Sequence, residues 1–369
     1  MLPRQYENVK FRHMRPEVRK LARLSVGLVG TGSIGKIHAR NIMLMEDLEL
    51  SAMWTDNRSI EEARKLCDEC KVDRLYTSYK EMVDRESLDI VIVACPNYLH
   101  SEVAIYSLSK GANVICEKPM AMNAIEAERM VEASKKYKRN LMIAMNHRFA
   151  SETQTLKKLI EQGELGEIYL AKADWLKRLG IPGMGSWFTT RRYSGGGVLM
   201  DLGPHIIDLA LWFMDFPQPK TAVGYTFSEL GIQNRGSGSW GTPVKGGPFD
   251  VEDIALGIIG LDGSRVLSVQ VSWASYIDEM FNVNVLGNKA GVSYHPPKII
   301  TETEDGAAVE KNIFCQKADP YKRELEHFIK AIKGEEQLLT TPEQGLIVMK
   351  IIDAIYLSAT KGEKVEIRA

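Results

Sequence analysis

The chain has 369 residues, 44% of them apolar and 26% charged, with a formal net charge of −1. That length suits about two domains with sizeable cores, and the near-neutral balance excludes a global field that would recruit nucleic acid or an anionic membrane. No apolar run approaches the roughly 18 residues of a membrane span, and five scattered cysteines, an odd number, point to a reduced, cytoplasmic setting.

Residues 1–24 carry seven Lys or Arg against two Glu and lack the apolar core of a secretory signal. With Tyr6, Phe11, Leu21 and Leu24 to bury, they are expected to form a basic arm on a neighbouring subunit, with a loose extension as the alternative.

From residue 24 short β-rich runs alternate with helical patterns. LSVGLVG (24–30) is a continuous apolar strand, and SIGKIHARNIMLM behind it has Ile34, Ile37, Ile42 and Met45 at helical spacing. ELSAMWTD (49–56) is a second strand and SIEEARKLCDEC (59–70) a charged-faced helix, in which Cys67 and Cys70 read as packing residues because no second ligand pair follows. DIVIVACP (89–96), ANVICEKP (112–119) and NLMIAMN (140–146) are further strands, separated by helices ending near Gly111 and Tyr137. Strands apolar on both faces, joined by short links through helices, make a doubly wound parallel sheet over residues 25–146.

After Asn146 the pattern changes. A helix (151–162) leads to the strand GEIYLAKADW (166–175). KTAVGYTF, DIALGIIGLD, SRVLSVQVSWA, MFNVNVLG and GVSYH then alternate, with hairpin signals at Asp262-Gly263 and Gly287-Asn288. Residues 147–369 are therefore expected to form an α+β domain with an open, mostly antiparallel sheet, one face free for a partner subunit. Residues 231–248 are a Gly/Pro-rich loop, the most mobile element expected. Two helices close the chain and are placed to pack back on the first domain.

Gly30-Thr31-Gly32-Ser33-Ile34-Gly35 fits GxGxxG between a strand and a helix, the context that makes the motif specific. Gly30 permits the turn, Gly32 admits a pyrophosphate, and Gly35 lets helix and strand close up. The amides of Ser33 and Ile34 open the helix toward the phosphates. Asp56 lies 21 residues past Gly35, where a carboxylate accepts from a ribose 2′-hydroxyl and repels a 2′-phosphate. NAD is thus favoured over NADP, although Arg58 is placed to meet a 2′-phosphate. Pro96, Asn97 and His100 stand at the exit of the third strand, where a nicotinamide ribose would lie. Glu117 and Lys118 end the fourth strand on the same ligand-binding edge.

SGGGVLMDLGPHIIDLALWFM (194–214) is an apolar helix with Asp201, His205 and Asp208 on one face. Buried charge needs partners or a role. A satisfied core pair and a pair of metal ligands are the structural alternatives to a catalytic one. Pro204 requires either that a helix open near it or that one starting at Gly197 bend there.

GLVGTGSIGKIHARNI, ACPNYLHSEVAIYSLSKGANVICEKPMA and GGGVLMDLGPHIIDLALW together resemble the glucose–fructose oxidoreductase, inositol dehydrogenase and rhizopine-catabolism protein family (Gfo/Idh/MocA), from about Leu24 to the C-terminus. The resemblance implies a dinucleotide-binding domain, a second domain whose open sheet forms a homodimer or homotetramer interface, and oxidation of a sugar, glycoside or cyclitol hydroxyl by a bound nicotinamide cofactor. The family's EKP lysine matches Lys118, with a Lys118–Pro119 bond that is often cis, and its Asp-x-x-x-His pair matches Asp201 and His205. On that basis His205 is the general base, Lys118 stabilises the developing oxyanion, and Asp201 orients His205 or holds a neighbouring substrate hydroxyl. Asp208 supports them by hydrogen bonding. The family commonly has arginine where His147 stands. Arg148 is a candidate substrate contact, and Trp187, with Arg191 and Arg192, is placed to close over a sugar ring. No metal is expected. Two other functions stay open: a lyase or glycosidase that retains NAD and oxidises its substrate only transiently, and a non-catalytic NAD-binding regulator.

Overall fold

The computed structural model describes residues 23–368, so the expected basic arm falls almost wholly outside the described residues. From Leu24 strands and helices alternate: β1 (Leu24–Val29), α1 (Ser33–Met43), β2 (Leu48–Trp54), α2 (Ile60–Cys70), β3 (Leu75–Tyr76), α3 (Tyr79–Arg85), β4 (Ile90–Val93), α4 (His100–Ser109), β5 (Asn113–Glu117), α5 (Ala124–Tyr137) and β6 (Leu141–Ala144). The strands form one parallel sheet in the order β3-β2-β1-β4-β5-β6. Chain direction across the sheet reverses between β1 and β4, which places the ligand crevice at their carboxyl ends. The apolar runs explain the central position of these two strands. Val26, Leu28, Val29 and all four residues of β4 are buried, as strands covered on both faces must be. The two-residue β3 and the helix after it went unread in the sequence, being too short to set a hydrophobic period.

The second half comprises α6 (Ser151–Glu161), β7 (Ile168–Leu176), α7 (Arg191–Ser194), α8 (Val198–Asp201), α9 (Gly203–Phe213), β8 (Pro219–Phe227), β9 (Ile254–Leu261), β10 (Val266–Ser272), β11 (Met280–Gly287), β12 (Ala290–Ser293), β13 (Lys298–Glu302), β14 (Ala308–Asn312), α10 (Pro320–Ile332), α11 (Pro342–Lys361) and β15 (Val365–Glu366). Its sheet runs β14-β13-β12-β11-β7-β10-β9-β8-β15. Neighbours are antiparallel except β7 and β10, which run parallel at its centre. The hairpins at Asp262-Gly263 and Gly287-Asn288 join β9 to β10 and β11 to β12.

One face of this sheet, with Ala171, Ala173, Ile259, Val269, Val271 and Val283 buried, is covered by α9 and α11. The other face leaves Tyr225 and Ile258 more than half exposed, at 53% and 55%. α11 packs on α5 and α10 on α1, so the last helices clasp the first sheet's helices. The glycine-rich segment 231–248 lies against the loop after β7: Gly236 O accepts from the amides of Gly180 (3.0 Å) and Ile181 (2.9 Å). At Pro204 both expected geometries combine. A one-turn helix starts after Gly197, Leu202 breaks it, and α9 restarts with Pro204 in its first turn.

Candidate active site

The site begins at the glycine loop. Gly30 has φ +113°, and a Cβ there would lie 2.3 Å from the carbonyl oxygen of Ala94, so only glycine fits. A Cβ on Gly35 would meet the Gly30 oxygen at 2.0 Å, whereas one on Gly32 would meet nothing within 4 Å. The turn is thus packed at both ends and open in the middle, where Gly32 and Ser33 are exposed. α1 starts there with no side-chain cap and no acidic residue in its first turn. Free amides and a positive helix end facing open space fit the pyrophosphate of a dinucleotide.

Asp56 follows β2 and lines a cavity of about 500 Å³ with Trp54, Asn57, Ser78 and Tyr79, a place suited to an adenosine moiety. Its Oδ1 also accepts from the Ser59 amide at 3.0 Å. The Arg58 side chain lies outside the described residues.

Three of the residues expected at the cofactor have partners within the protein. Asn97 donates its amide to the carbonyl of Ser194 at 2.8 Å, tying the exit of β4 to α7. The buried His100 ring sits between the carbonyls of Pro119 (2.7 Å) and Cys95 (2.8 Å), and burial lowers its pKa. Both side chains hydrogen-bond backbone carbonyls around the exit of β4. Glu117 is buried with its Oε1 2.6 Å from Nε2 of the buried His38, and so ties β5 to the glycine-loop helix. Pro96 is half-buried at the start of the short helix after β4.

Lys118 follows β5, and the Lys118–Pro119 peptide is cis. Its ammonium reaches across to the second half, donating to Oδ1 of Asp201 at 2.9 Å and to the Asp201 carbonyl at 3.0 Å. Trp273, just beyond β10, donates Nε1–H to Oδ2 at 2.9 Å. Burial alone would raise the Asp201 carboxyl. The Lys118 charge and the hydrogen bonds from Lys118 and Trp273 outweigh it and hold the group below its usual range.

The pKa of His205, one turn on, is pushed well below 6.5, first by burial and then by Lys118, His147 and Lys177, which favours the neutral ring. Its Nδ1 is sealed without a hydrogen-bond partner among the described residues. The ring stands edge-on to His147 at 5.0 Å and tilted against Trp175 at 5.6 Å. His147 in turn lies 3.1 Å from the Tyr294 hydroxyl, and burial pushes its pKa down to about 4.

The glycines before the helix have a packing cause. The buried Glu252 carboxylate accepts from the amides of Gly197 (2.9 and 3.0 Å) and Leu199 (3.0 Å) and from the Tyr356 hydroxyl (2.7 Å). A Cβ on Gly197 would lie 1.9 Å from the Glu252 carbonyl oxygen, and one on Gly196 2.0 Å from the Tyr356 hydroxyl. Glu252 therefore serves as a remote N-cap that fixes α8, and with it Asp201.

Arg148 is a correction. It is fully buried and donates to both oxygens of Asp208 (2.8 and 2.5 Å), to the Leu339 carbonyl (2.6 Å) and to Gln344 (2.8 Å). This is a core ion pair with no donor turned to a substrate, and Asp208 is its partner. Trp187 stacks on Phe188 at 3.9 Å, and that ring borders Gly183 and Gly241 at the junction of the two loops. Sequence reasoning missed Glu252, Trp273, Trp175 and Lys177. The one available signal was the alternation along β7, which puts Trp175 and Lys177 on the face of Ala171 and Ala173.

Residues 24–145 match the family model described as "Oxidoreductase family, NAD-binding Rossmann fold", and residues 157–367 match its companion, "Oxidoreductase family, C-terminal alpha/beta domain". The chain belongs to the Gfo/Idh/MocA oxidoreductase family. Residues 24–145 form an NAD-binding Rossmann domain. Among similar proteins, D-glucoside 3-dehydrogenase of Escherichia coli (strain K12) is 32% identical over 349 residues, covering 93% of this chain and 97% of that protein. Levoglucosan dehydrogenase of Pseudarthrobacter phenanthrenivorans is 29% identical over 265 residues, 68% of this chain and 67% of that protein. A solved levoglucosan dehydrogenase in complex with NADH and levoglucosan has the same fold, with TM-score 0.80 at 22% identity over 94% of this chain and 100% of that one.

Proposed function

We propose that this Gfo/Idh/MocA oxidoreductase is an NAD-dependent dehydrogenase that removes hydride from a ring hydroxyl of a sugar, glycoside or cyclitol. The observation that carries this reading is the convergence of Lys118, Asp201 and the neutral His205 at the carboxyl edge of the first sheet. The glucoside and levoglucosan dehydrogenases among its relatives support the substrate class.

His205 takes the hydroxyl proton at Nε2, because Nδ1 is sealed in the interior. Lys118 uses two of its three N–H donors on Asp201, which leaves one for the reacting oxygen as negative charge develops there. Asp201, pinned on its other oxygen by Trp273, fixes the direction of that ammonium. The nicotinamide ring, when bound, supplies the hydride acceptor. Asp56 favours NAD over NADP for the reason given above.

The exposed face of the second sheet is the surface we assign to a homodimer or homotetramer. The five cysteines, all free thiols, support a reduced, cytoplasmic setting. Among the described residues no helix is long and apolar enough to cross a membrane.

The test is a panel of glucosides, levoglucosan and inositols supplied with free NAD and followed by NADH absorbance. Steady NADH production is expected. Glycoside cleavage without net NADH would replace this reading with the NAD-retaining lyase, and NAD binding with no turnover on any substrate would replace it with the regulator.

A further inference from the structure

Beyond the reacting triad the pocket holds a second cation. Lys177 follows β7 and shares a face with Trp175 two residues earlier. Its ammonium lies 5.5 Å from the centre of the Trp175 ring, which itself stands 5.6 Å from the His205 ring, so the cation sits beside the same space; in keeping with that, its charge adds to the lowering of the Asp201 and His205 pKa values. The half-buried side chain has no hydrogen-bond or ion-pair partner among the described residues. In the facing loop Asp278 accepts from the Arg178 guanidinium (3.1 Å) and Glu279 from the Arg178 amide (3.3 Å).

The position is built and not a dangling loop. The Lys177 amide donates to the Ser272 carbonyl at 3.0 Å, and its own carbonyl accepts from the Ser275 hydroxyl at 3.0 Å. Gly180 leaves room for the stem, since a Cβ there would meet Lys177 Cδ at 2.8 Å. Trp175 is wedged between Phe281 (4.4 Å) and His205 (5.6 Å) and offers a ring edge beside the base.

Among the described residues, the two cations Lys118 and Lys177 bear on this space together with the one carboxylate of Asp201. Asp201 is already saturated by Lys118 and Trp273. A half-buried ammonium whose contact in the described residues is the Trp175 ring is free to bond an anion.

We propose that Lys177 is a specificity-determining residue that binds a carboxylate on the substrate, so that the preferred substrates are acidic sugars, a uronic acid or its glycoside, with the ring seated against Trp175. This rests on the dehydrogenase reading and narrows its substrate class.

Methyl glucoside and methyl glucuronide differ only in a hydroxymethyl against a carboxylate, and so test it. For each, kcat/KM and the quench of tryptophan fluorescence on binding to the NADH-loaded enzyme are measured in wild type, Lys177→Met and Lys177→Arg. A charge-assisted hydrogen bond predicts about a tenfold or larger wild-type preference for the glucuronide in both readouts. The preference should collapse in Lys177→Met and return largely in Lys177→Arg, with melting temperatures compared to exclude misfolding. Equal or better use and binding of the glucoside by wild type, binding of neither sugar, or a preference indifferent to Lys177→Met would overturn the proposal. Selective glucuronide binding that depends on Lys177, with no oxidation of either sugar, would keep the anion site and reject the dehydrogenase reading instead.

Discussion

The Lys118 ammonium lies 2.9 Å from Oδ1 of Asp201 and 3.0 Å from the carbonyl oxygen of the same residue. One side chain thus bolts the end of β5 to the end of α8, one residue before the helix that carries the base, and both partners are four-fifths buried. Lys118→Ala removes the donor to the developing oxyanion, so kcat should fall by about 10²- to 10³-fold. Turnover and NADH affinity, the latter by fluorescence titration, should separate: the first collapses and the second changes far less. Near-normal turnover would remove Lys118 from the chemistry.

The pH dependence follows from the direction in which the two histidines are shifted. Burial, then Lys118, lowers His205 well below 6.5, and burial brings His147 to about 4. The base is therefore already unprotonated at pH 6.5, and kcat/KM should lose activity through His205 only as pH falls well below that value. For stability, the unfolded chain takes up these protons first, near its ordinary value of 6.5. The two groups' contribution is fully present above 6.5 and is lost as pH falls from there through the folded values, around 4 for His147. Urea midpoints at pH 7 and pH 5 should show this loss. A kcat/KM profile whose acidic limb lies above pH 7 would contradict the assignment of His205.

The parts of the site that were legible in the sequence are those whose signal is local. The glycine loop, Asp56, Lys118 before a proline, and Asp201 one turn before His205 all announce themselves within a few residues. Glu252 and Trp273 act on Gly197 and Asp201 across gaps of 55 and 72 residues, closed only when β9 and β10 pack beside α8. Arg148 and His100 misled for the opposite reason. Each stands at a ligand-facing edge of the chain, but its donors are turned inward onto a carboxylate or backbone carbonyls that no local pattern reveals. The parallel β7–β10 pair was equally hidden, because everything from α7 to β9 intervenes between those strands.

Gly197 tests the remote cap. A methyl group placed 1.9 Å from the Glu252 carbonyl cannot be absorbed by side-chain rotation. Gly197→Ala should cost about 1–3 kcal/mol as an overpacking change and should displace α8, lowering the melting temperature and kcat together. Glu252→Gln keeps the shape but weakens the cap, so it should show the same pattern in milder form. Thermal unfolding with parallel kinetics is the check, and an unchanged melting temperature in Gly197→Ala would refute the packing account.

Asp56 tests cofactor choice. Removing its charge with Asp56→Ala takes away both the acceptor for a ribose hydroxyl and the repulsion of a 2′-phosphate. The ratio of kcat/KM with NAD to that with NADP should fall by about tenfold or more, as loss of one charge-assisted hydrogen bond implies. Paired measurements with the two cofactors decide it. A wild type that already prefers NADP would overturn the assignment at the outset.

Arg148 separates a structural cation from a substrate contact. Its guanidinium and Asp208 are fully buried together, and burial tends to raise the Asp208 carboxyl against the opposing pull of Arg148. Arg148→Met strands that carboxylate in the core, so the cost should be about 3–5 kcal/mol, the usual result of breaking a buried pair from one side. The double variant Arg148→Met with Asp208→Leu should recover part of that loss, because no charge is then left unpaired. In protein that remains folded at low temperature, KM should change little. A raised KM with an unchanged urea midpoint would return Arg148 to the substrate pocket, whereas a lowered midpoint with KM intact places it where the structure does, beneath the helix that carries His205.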